Sequence, residues 1–137
     1  MNPKKIILHC SATPGSRKVS TDTIRRWHKK RGFRDIGYHW VIELDGSVHK
    51  GREEDEMGAH CYGHNDSIGI CYVGGTDDNL EPKDTLNEAQ EHAIKNLIAE
   101  IRERHGDLPL HGHNEFANKA CPSFDVQKRL SYLCHEQ

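Results

Sequence analysis

The 137-residue chain has no long hydrophobic run, and this absence excludes whole classes of protein. No segment approaches the roughly 18 consecutive apolar residues that a membrane-spanning helix requires. The opening residues, MNPKKIIL, also lack the apolar stretch of roughly 7–15 residues that is typical of a secretory signal peptide. We therefore expect no membrane partner and a protein that is cytoplasmic at synthesis.

The chain also has little net charge of either sign. Its 19 Lys and Arg residues against 21 Asp and Glu residues give a formal net charge of −2. Proteins that bind nucleic acid usually carry a clear excess of positive charge, so nucleic acid is not expected as the main partner. The same balance predicts weak long-range steering toward an anionic polymer.

Common metal and redox motifs are absent as well. The cysteines at positions 10, 61, 71, 121 and 134 form no CxxC pair, which excludes a zinc ribbon and a thioredoxin-like motif. No HExxH helix is present, so the usual zinc-protease arrangement is excluded too. Without an export signal, reduced thiols are expected. With 11 histidines in the chain, a metal site has to be argued from their positions.

The apolar residues that are present come in patterned blocks, which predict one domain over residues 1–137. Thr85 and Glu88 have the spacing of a helix-capping box, and the charged run 52–56 is typical of a solvated loop. The patterns predict strands at 4–10, 38–44, 47–50, 67–73 and 108–111, and helices at 20–30, 85–104 and 122–133. This order predicts an α/β fold with a central mixed β-sheet flanked by helices.

Three side chains with metal-binding chemistry fall at the ends of these elements. His9 ends the first strand, His113 follows the last strand, and Cys121 precedes the last helix. Loops at strand ends commonly carry the active sites of α/β proteins. Imidazole and thiolate are good zinc ligands, and three protein ligands plus water is the catalytic form of a zinc site. From the residues alone, His9 is equally a packed or surface histidine, and Cys121 a small core residue.

Other polar residues near these positions have both a functional and an ordinary interpretation. If Cys121 binds a metal, Lys119 would place an ammonium group beside a developing oxyanion; otherwise it is a solvated loop lysine. Tyr38 begins a strand, where simple packing would explain it. His60, in the irregular segment GAHCYGHN, has the pattern of a surface histidine.

Four sequence blocks extend over nearly the whole chain: IILHCSAT, IRRWHKKRGFRDIGYHWVIELDG, GHNDSIGICYVGG and HNEFANKACPSFDV. Taken together and in this order, they resemble the type 2 N-acetylmuramoyl-L-alanine amidases. This family includes small phage endolysins and the peptidoglycan recognition proteins. The resemblance implies a mixed sheet flanked by helices, with a zinc ion (Zn²⁺) in a surface cleft.

The resemblance also implies a role for individual residues. The zinc ligands would be His9, His113 and Cys121; His113 is chosen over His111 because the family's histidine lies eight residues before the cysteine. A second set matches residues that act on or contact the substrate: Tyr38 and Lys119 as catalytic residues, and His60 and Asn65 in the wall of the substrate cleft.

The activity that the resemblance implies is hydrolysis of peptidoglycan. The bond would be the amide between the lactyl group of N-acetylmuramic acid and L-alanine. The expected enzyme is an endolysin-like monomer that reaches the cell wall after release from the cytoplasm, as in phage or prophage lysis.

Three alternatives remain at this point. A cytoplasmic amidase that recycles wall fragments would use the same chemistry. A peptidoglycan-binding module without activity would usually lack a zinc ligand, commonly the cysteine. A cysteine hydrolase would use Cys121 as the nucleophile with a histidine as base, and would need no metal.

Overall fold

A five-stranded sheet forms the centre of the computed structural model, which describes residues 1–135. The strands, in chain order, are β1 (Ile6–Cys10), β2 (Thr13–Pro14), β3 (Trp40–Ile42), β4 (Val48–Lys50), β5 (Ile68–Tyr72), β6 (Gly75–Thr76) and β7 (Leu110–Gly112). The sheet order is β4-β3-β5-β1-β7, and β2 pairs separately with β6. Within the large sheet the β3–β4 pair is antiparallel and the other pairs are parallel. The predicted mixed sheet is therefore confirmed.

Helices cover this sheet on its faces. They are α1 (Thr21–Lys30), α2 (Glu88–His105) and α3 (Val126–Arg129), with short 3₁₀ helices at His113–Glu115 and Ser131–Leu133. Every residue of β1 and β5 is buried, which explains why both strands read as continuous apolar runs without alternation. Among residues 1–135, no helix combines the length and the hydropathy needed to cross a bilayer.

Strand β1 presents alternate residues to the two faces of the sheet, and a separate apolar core lies on each face. Leu8 belongs to the larger core, which includes buried residues of α2 and α3. The smaller core lies under α1 and includes Ile24 and Val41. Since successive strand residues point to opposite faces, His9 lies on the face that α1 covers. It also lies near the carboxyl end of β1, where the paired strands β5 and β7 end as well.

The second helix begins later than the sequence pattern predicts. Its N-cap is Asn87, whose side chain accepts a hydrogen bond from the Gln90 amide at 2.8 Å while the Gln90 side chain accepts from the Asn87 amide at 3.2 Å. Thr85 is engaged elsewhere, because its hydroxyl accepts from the Gly75 amide at 2.7 Å. The prediction of a capping box at Thr85 and Glu88 was therefore wrong, and a competing box two residues later, at Asn87 and Gln90, is used.

The last predicted helix is also much shorter than expected. Its α-helical part is the four-residue α3, preceded by Ser123 at φ 76°, a left-handed conformation that no α-helix can include. Asp125 then caps α3 by accepting a bond from the Lys128 amide at 3.3 Å. The segment before α3 is thus a loop, and this loop carries Cys121.

The charged run at 52–56 was predicted to be a solvated loop, but Arg52 is buried, Glu54 is partly buried, and both make structural contacts. The Arg52 guanidinium donates to the carbonyls of Ile36 at 2.7 Å and Met57 at 2.9 Å. The Glu54 carboxylate accepts from Arg104, His105 and Trp40 at 2.7–2.9 Å, which ties the loop to β3 and to the end of α2. Charge pattern alone gave no sign of these partners.

Replacing Glu54 with Gln is expected to lower the free energy of unfolding by about 1–2 kcal/mol at neutral pH. Burial would raise the pKa of Glu54, but hydrogen bonds from Arg104, His105 and Trp40 outweigh it and lower the pKa to about 2. Because the folded pKa is depressed, this stabilisation is present above the ordinary value of 4.5 and is lost as the pH falls toward 2.

Urea unfolding at neutral pH and near pH 3 would measure this effect. The difference between wild type and Glu54→Gln should shrink at the lower pH. A difference of equal size at both pH values would contradict the assignment of the stabilisation to the ionised carboxylate.

Candidate metal centre

Strand pairing brings the two predicted histidine ligands together. The parallel strands β1 and β7 are neighbours, with Leu8 opposite Gly112. The next residue along the chain is His9 in β1 and, just past the end of β7, His113, and their ring centres are 4.5 Å apart. These residues are distant in the sequence, so their meeting is a direct consequence of the sheet order.

Cys121 completes a cluster of three ligand atoms. One nitrogen from each histidine and the Cys121 Sγ all lie within 4.8 Å of one another. The sulfur lies 3.7 Å from His9 Nδ1 and accepts a hydrogen bond from the Cys10 amide at 3.2 Å. The loop before α3 thus places the thiol at the end of β1.

The protonation chemistry of these three groups fits a bound zinc ion. His113 Nδ1 is buried without a hydrogen-bond partner in the part of the chain that the structure describes, and a metal would satisfy it. Burial and the neighbouring histidines lower the pKa of His9, and burial and the Lys119 ammonium lower that of His113, so both rings have a free lone pair. Two imidazoles and a thiol are a donor set that zinc prefers.

The pKa of the Cys121 thiol also indicates that a cation binds at this site. The neighbouring Cys10 thiol and burial both raise the pKa of Cys121. A thiolate at this position therefore needs a positive charge beside it, which a metal ion supplies on binding.

Tyr38 lies against the same cluster, just before β3. Its ring centre is 5.1 Å from that of His9 and 5.3 Å from that of His28. Burial raises the pKa of Tyr38 well above 10, so its hydroxyl keeps its proton. It is therefore suited to donating a hydrogen bond rather than to accepting a proton as a phenolate.

All seven residues predicted for the site line one surface cleft of about 790 Å³. Lys119 is exposed, and its positive charge acts on His113, so it lies beside the metal ligands. The three proposed ligands and Tyr38 lie together at one place in it. These residues are His9, Tyr38, His60, Asn65, His113, Lys119 and Cys121.

His60 and Asn65 use their polar atoms within the protein. His60 is only 9% exposed; its Nδ1 lies 2.8 Å from His9 Nε2, and its Nε2 lies 2.9 Å from the Ser67 carbonyl. The Asn65 side-chain oxygen accepts from the amides of His60 and Cys61 at 2.8 and 2.9 Å. Polar contact of His60 with a substrate would require one of its bonds to break. The expectation that it is a surface histidine was wrong.

The sequence interpretation missed the wall that α1 contributes to the cleft. Trp27, His28 and Arg31 line it together with Ile24, at a spacing that places all four on one helix face. His28 Nδ1 accepts from the Gly37 amide at 2.8 Å, and burial together with Arg31 lowers its pKa to about 4. The helical spacing of these residues could have predicted this wall, because it places an aromatic residue and a cation on the same helix face as a buried isoleucine.

Comparisons with known proteins identify the family of the chain. The family model described as N-acetylmuramoyl-L-alanine amidase matches residues 1–124. The endolysin of Klebsiella phage KP32 is 41% identical over 125 residues, which covers 90% of this chain and 83% of that protein. The endolysin of Escherichia phage T7 is 42% identical over 124 residues, covering 90% and 82%.

Solved structures of similar proteins share the fold of this chain at lower sequence identity. The Ph2119 endolysin from a Thermus scotoductus bacteriophage superimposes with a TM-score of 0.78 at 25% identity, covering 99% of this chain and 87% of that one. Drosophila PGRP-LB gives a TM-score of 0.77 at 27% identity, covering 94% and 82%.

Proposed function

Because the chain belongs to the N-acetylmuramoyl-L-alanine amidase family, we propose that it lyses cell walls as a zinc-dependent hydrolase with His9, His113 and Cys121 as the metal ligands. Its activity is that of an amidase, and its substrate is peptidoglycan. The observation that carries the proposed metal site is the convergence of three ligand atoms within 4.8 Å around an unpartnered His113 nitrogen.

A zinc ion held there would act as a Lewis acid, polarising the amide carbonyl and lowering the pKa of a water molecule toward neutrality. His9 and His113 would bind it as neutral imidazoles. Cys121 would bind it as a thiolate. The scissile amide, which joins N-acetylmuramic acid to L-alanine, would lie above these ligands in the cleft.

Lys119 and Tyr38 are the proposed catalytic residues. When the amide carbon becomes tetrahedral, negative charge develops on the carbonyl oxygen, and the Lys119 ammonium stabilises that charge. Tyr38 keeps its proton, and its hydroxyl orients the attacking water or the carbonyl oxygen by donating a hydrogen bond. Burial of Tyr38 strengthens the hydrogen bond that its hydroxyl would donate.

The endolysin relatives support a proposal about the setting of the reaction. We propose that the protein acts on the cell wall after release from the cytoplasm, and that it does so as a monomer. A recycling enzyme would instead prefer soluble muramoyl peptides. Comparing turnover on purified insoluble wall with turnover on soluble fragments separates these two roles.

One contact also favours a cysteine hydrolase as a second candidate. The 3.7 Å separation of Cys121 Sγ and His9 Nδ1 is near the geometry of a nucleophilic cysteine and its base. Such an enzyme would work without metal. The unpartnered His113 nitrogen has no role in that mechanism, and this favours the zinc enzyme.

Removal of the metal decides between the two candidates. We expect a chelator to abolish wall clearing, and about one equivalent of zinc to restore it. The melting temperature of the metal-free protein should fall by about 10 °C with unfolding still cooperative, because zinc binds the folded state and the apolar cores remain. Retained turnover in a sample shown to be metal-free would exclude the zinc mechanism and return Cys121 to the role of nucleophile.

A further inference from the structure

A chain of buried hydrogen bonds leads from the backbone of the sheet to the metal centre. The Ser67 carbonyl lies 2.9 Å from His60 Nε2, and His60 Nδ1 lies 2.8 Å from His9 Nε2. The two rings meet edge to face, with centres 4.9 Å apart. His9 is 1% exposed and His60 9%, so neither nitrogen of the shared bond has ready access to water.

The direction of these bonds is fixed by their first member. A carbonyl oxygen can only accept, so His60 Nε2 carries a proton. In the described chain the two ring nitrogens of the buried His60 bond only the Ser67 carbonyl and the His9 imidazole, with no carboxylate to hold a second proton, so the ring is a neutral imidazole with a single N–H. His60 Nδ1 is therefore an acceptor, and His9 Nε2 is the donor to it. The remaining nitrogen, His9 Nδ1, has the free lone pair and is the one that lies 3.7 Å from Cys121 Sγ.

We propose that His60 is a positioning residue that holds His9 in the tautomer and orientation needed for metal binding through Nδ1. This inference rests on the proposed function, because it concerns the same metal centre. It replaces the predicted substrate contact of His60 with a role exerted through His9. Partners of this kind, on the far side of a histidine ligand, typically change metal affinity about 10–100-fold.

The surroundings of His60 leave its ring little freedom to adopt another position. A Cβ added at Gly69 would lie 2.7 Å from the His60 ring, and one added at Gly58 would lie 2.4 Å from it. Both glycines therefore make room for the imidazole. Asn65 fixes the backbone by accepting from the His60 amide at 2.8 Å. The loop is built to present this one ring to His9.

Two substitutions at His60 separate positioning from general packing. His60→Leu fills similar space but has no acceptor for the His9 proton, whereas His60→Asn can place its side-chain oxygen near the former Nδ1. We expect the zinc dissociation constant, measured by competition with a chromophoric chelator, to rise about 10–100-fold for His60→Leu and by less for His60→Asn.

His39→Leu is the matched control. His39 is fully buried, accepts from the Gly69 amide at 3.0 Å and bonds the Glu56 carbonyl at 2.7 Å, but no hydrogen bond joins it to His9 in the described chain. Its loss should affect stability and leave zinc affinity within a few-fold of wild type. An equal loss of affinity in His39→Leu and His60→Leu, or none in His60→Leu, would overturn the proposal.

A second measurement requires no metal and no variant. Nitrogen-15 NMR of the metal-free wild type should show His9 protonated at Nε2 and His60 also protonated at Nε2. A proton on His9 Nδ1 would overturn the proposal even if His60→Leu failed to fold. This measurement does not depend on zinc. If the wild type showed these tautomers but bound no zinc, the result would support the hydrogen-bond chain and refute the proposed function.

Discussion

Cys121→Ser is expected to reduce wall-clearing activity by about 10³-fold or more and to remove the bound zinc. A serine hydroxyl at this position is a much poorer zinc ligand than a thiolate, and the site would retain only His9 and His113. The change is nearly isosteric, so the fold should persist. Elemental analysis for zinc and clearing of purified cell wall, on the same preparations, measure both effects.

The matched control for this substitution is Cys134→Ser. Cys134 is buried, whereas Cys121 is partly buried. The Cys134 sulfur donates to the Leu130 carbonyl at 3.3 Å, a bond that a serine hydroxyl can reproduce, and Cys134 lies outside the cleft. We expect it to keep both zinc and activity. Loss of clearing in Cys121→Ser with zinc fully retained would instead identify Cys121 as the nucleophile. Zinc in wild type without any clearing would point to a binding module.

Lys119→Met is expected to lower kcat by about 10²–10³-fold while zinc content and KM change little. The substitution keeps the length of the side chain but removes the charge that stabilises the oxyanion, an interaction made mainly in the transition state. Lys119→Arg should recover part of the rate, because it restores a cation of different shape. Steady-state kinetics on a soluble muramoyl peptide would give kcat and KM separately.

Lys128→Met controls for the loss of a surface charge, since Lys128 is exposed on α3 and does not line the cleft. Its kinetics should match wild type. A zinc content that fell in parallel with the rate in Lys119→Met would show that Lys119 acts on the ligands and not on the reacting oxygen. A loss of less than about 10-fold would remove it from the proposed chemistry.

The sequence predicted the sheet better than the helix boundaries, for identifiable physical reasons. Strands β1 and β5 are continuous apolar blocks because both of their faces are covered, and such blocks are visible in one dimension. The start of α2 depended on a competition between two capping boxes. The hydroxyl of Thr85 was already bonded to Gly75, a contact that spans the fold and leaves no local signal.

For the site, too, the sequence indicated the chemistry of single residues but not the contacts between distant segments. Chemistry and strand-end positions alone singled out His9, His113 and Cys121, but left an ordinary explanation open for each. Only the pairing of β1 with β7 shows that the two histidines are neighbours. His60 was assigned to the substrate cleft by resemblance, and its bond to His9 depends on a loop folding back onto β1, which no spacing rule predicts.

The position of β1 between β5 and β7 also has a consequence for the order of events during synthesis. β1 precedes the other strands in the chain, and its two partners, β5 and β7, are both made much later. A nascent chain that ends after α2 contains one of the three proposed zinc ligands and has no β7 to pair with β1. Unlike a zinc finger, whose closely spaced ligands let the metal direct folding, this domain must complete its long-range pairing before a zinc ion finds a site. Hydrolytic activity would therefore arise late and in a single step. That step is the folding of the loop between β7 and α3, which carries Cys121, onto the end of β1.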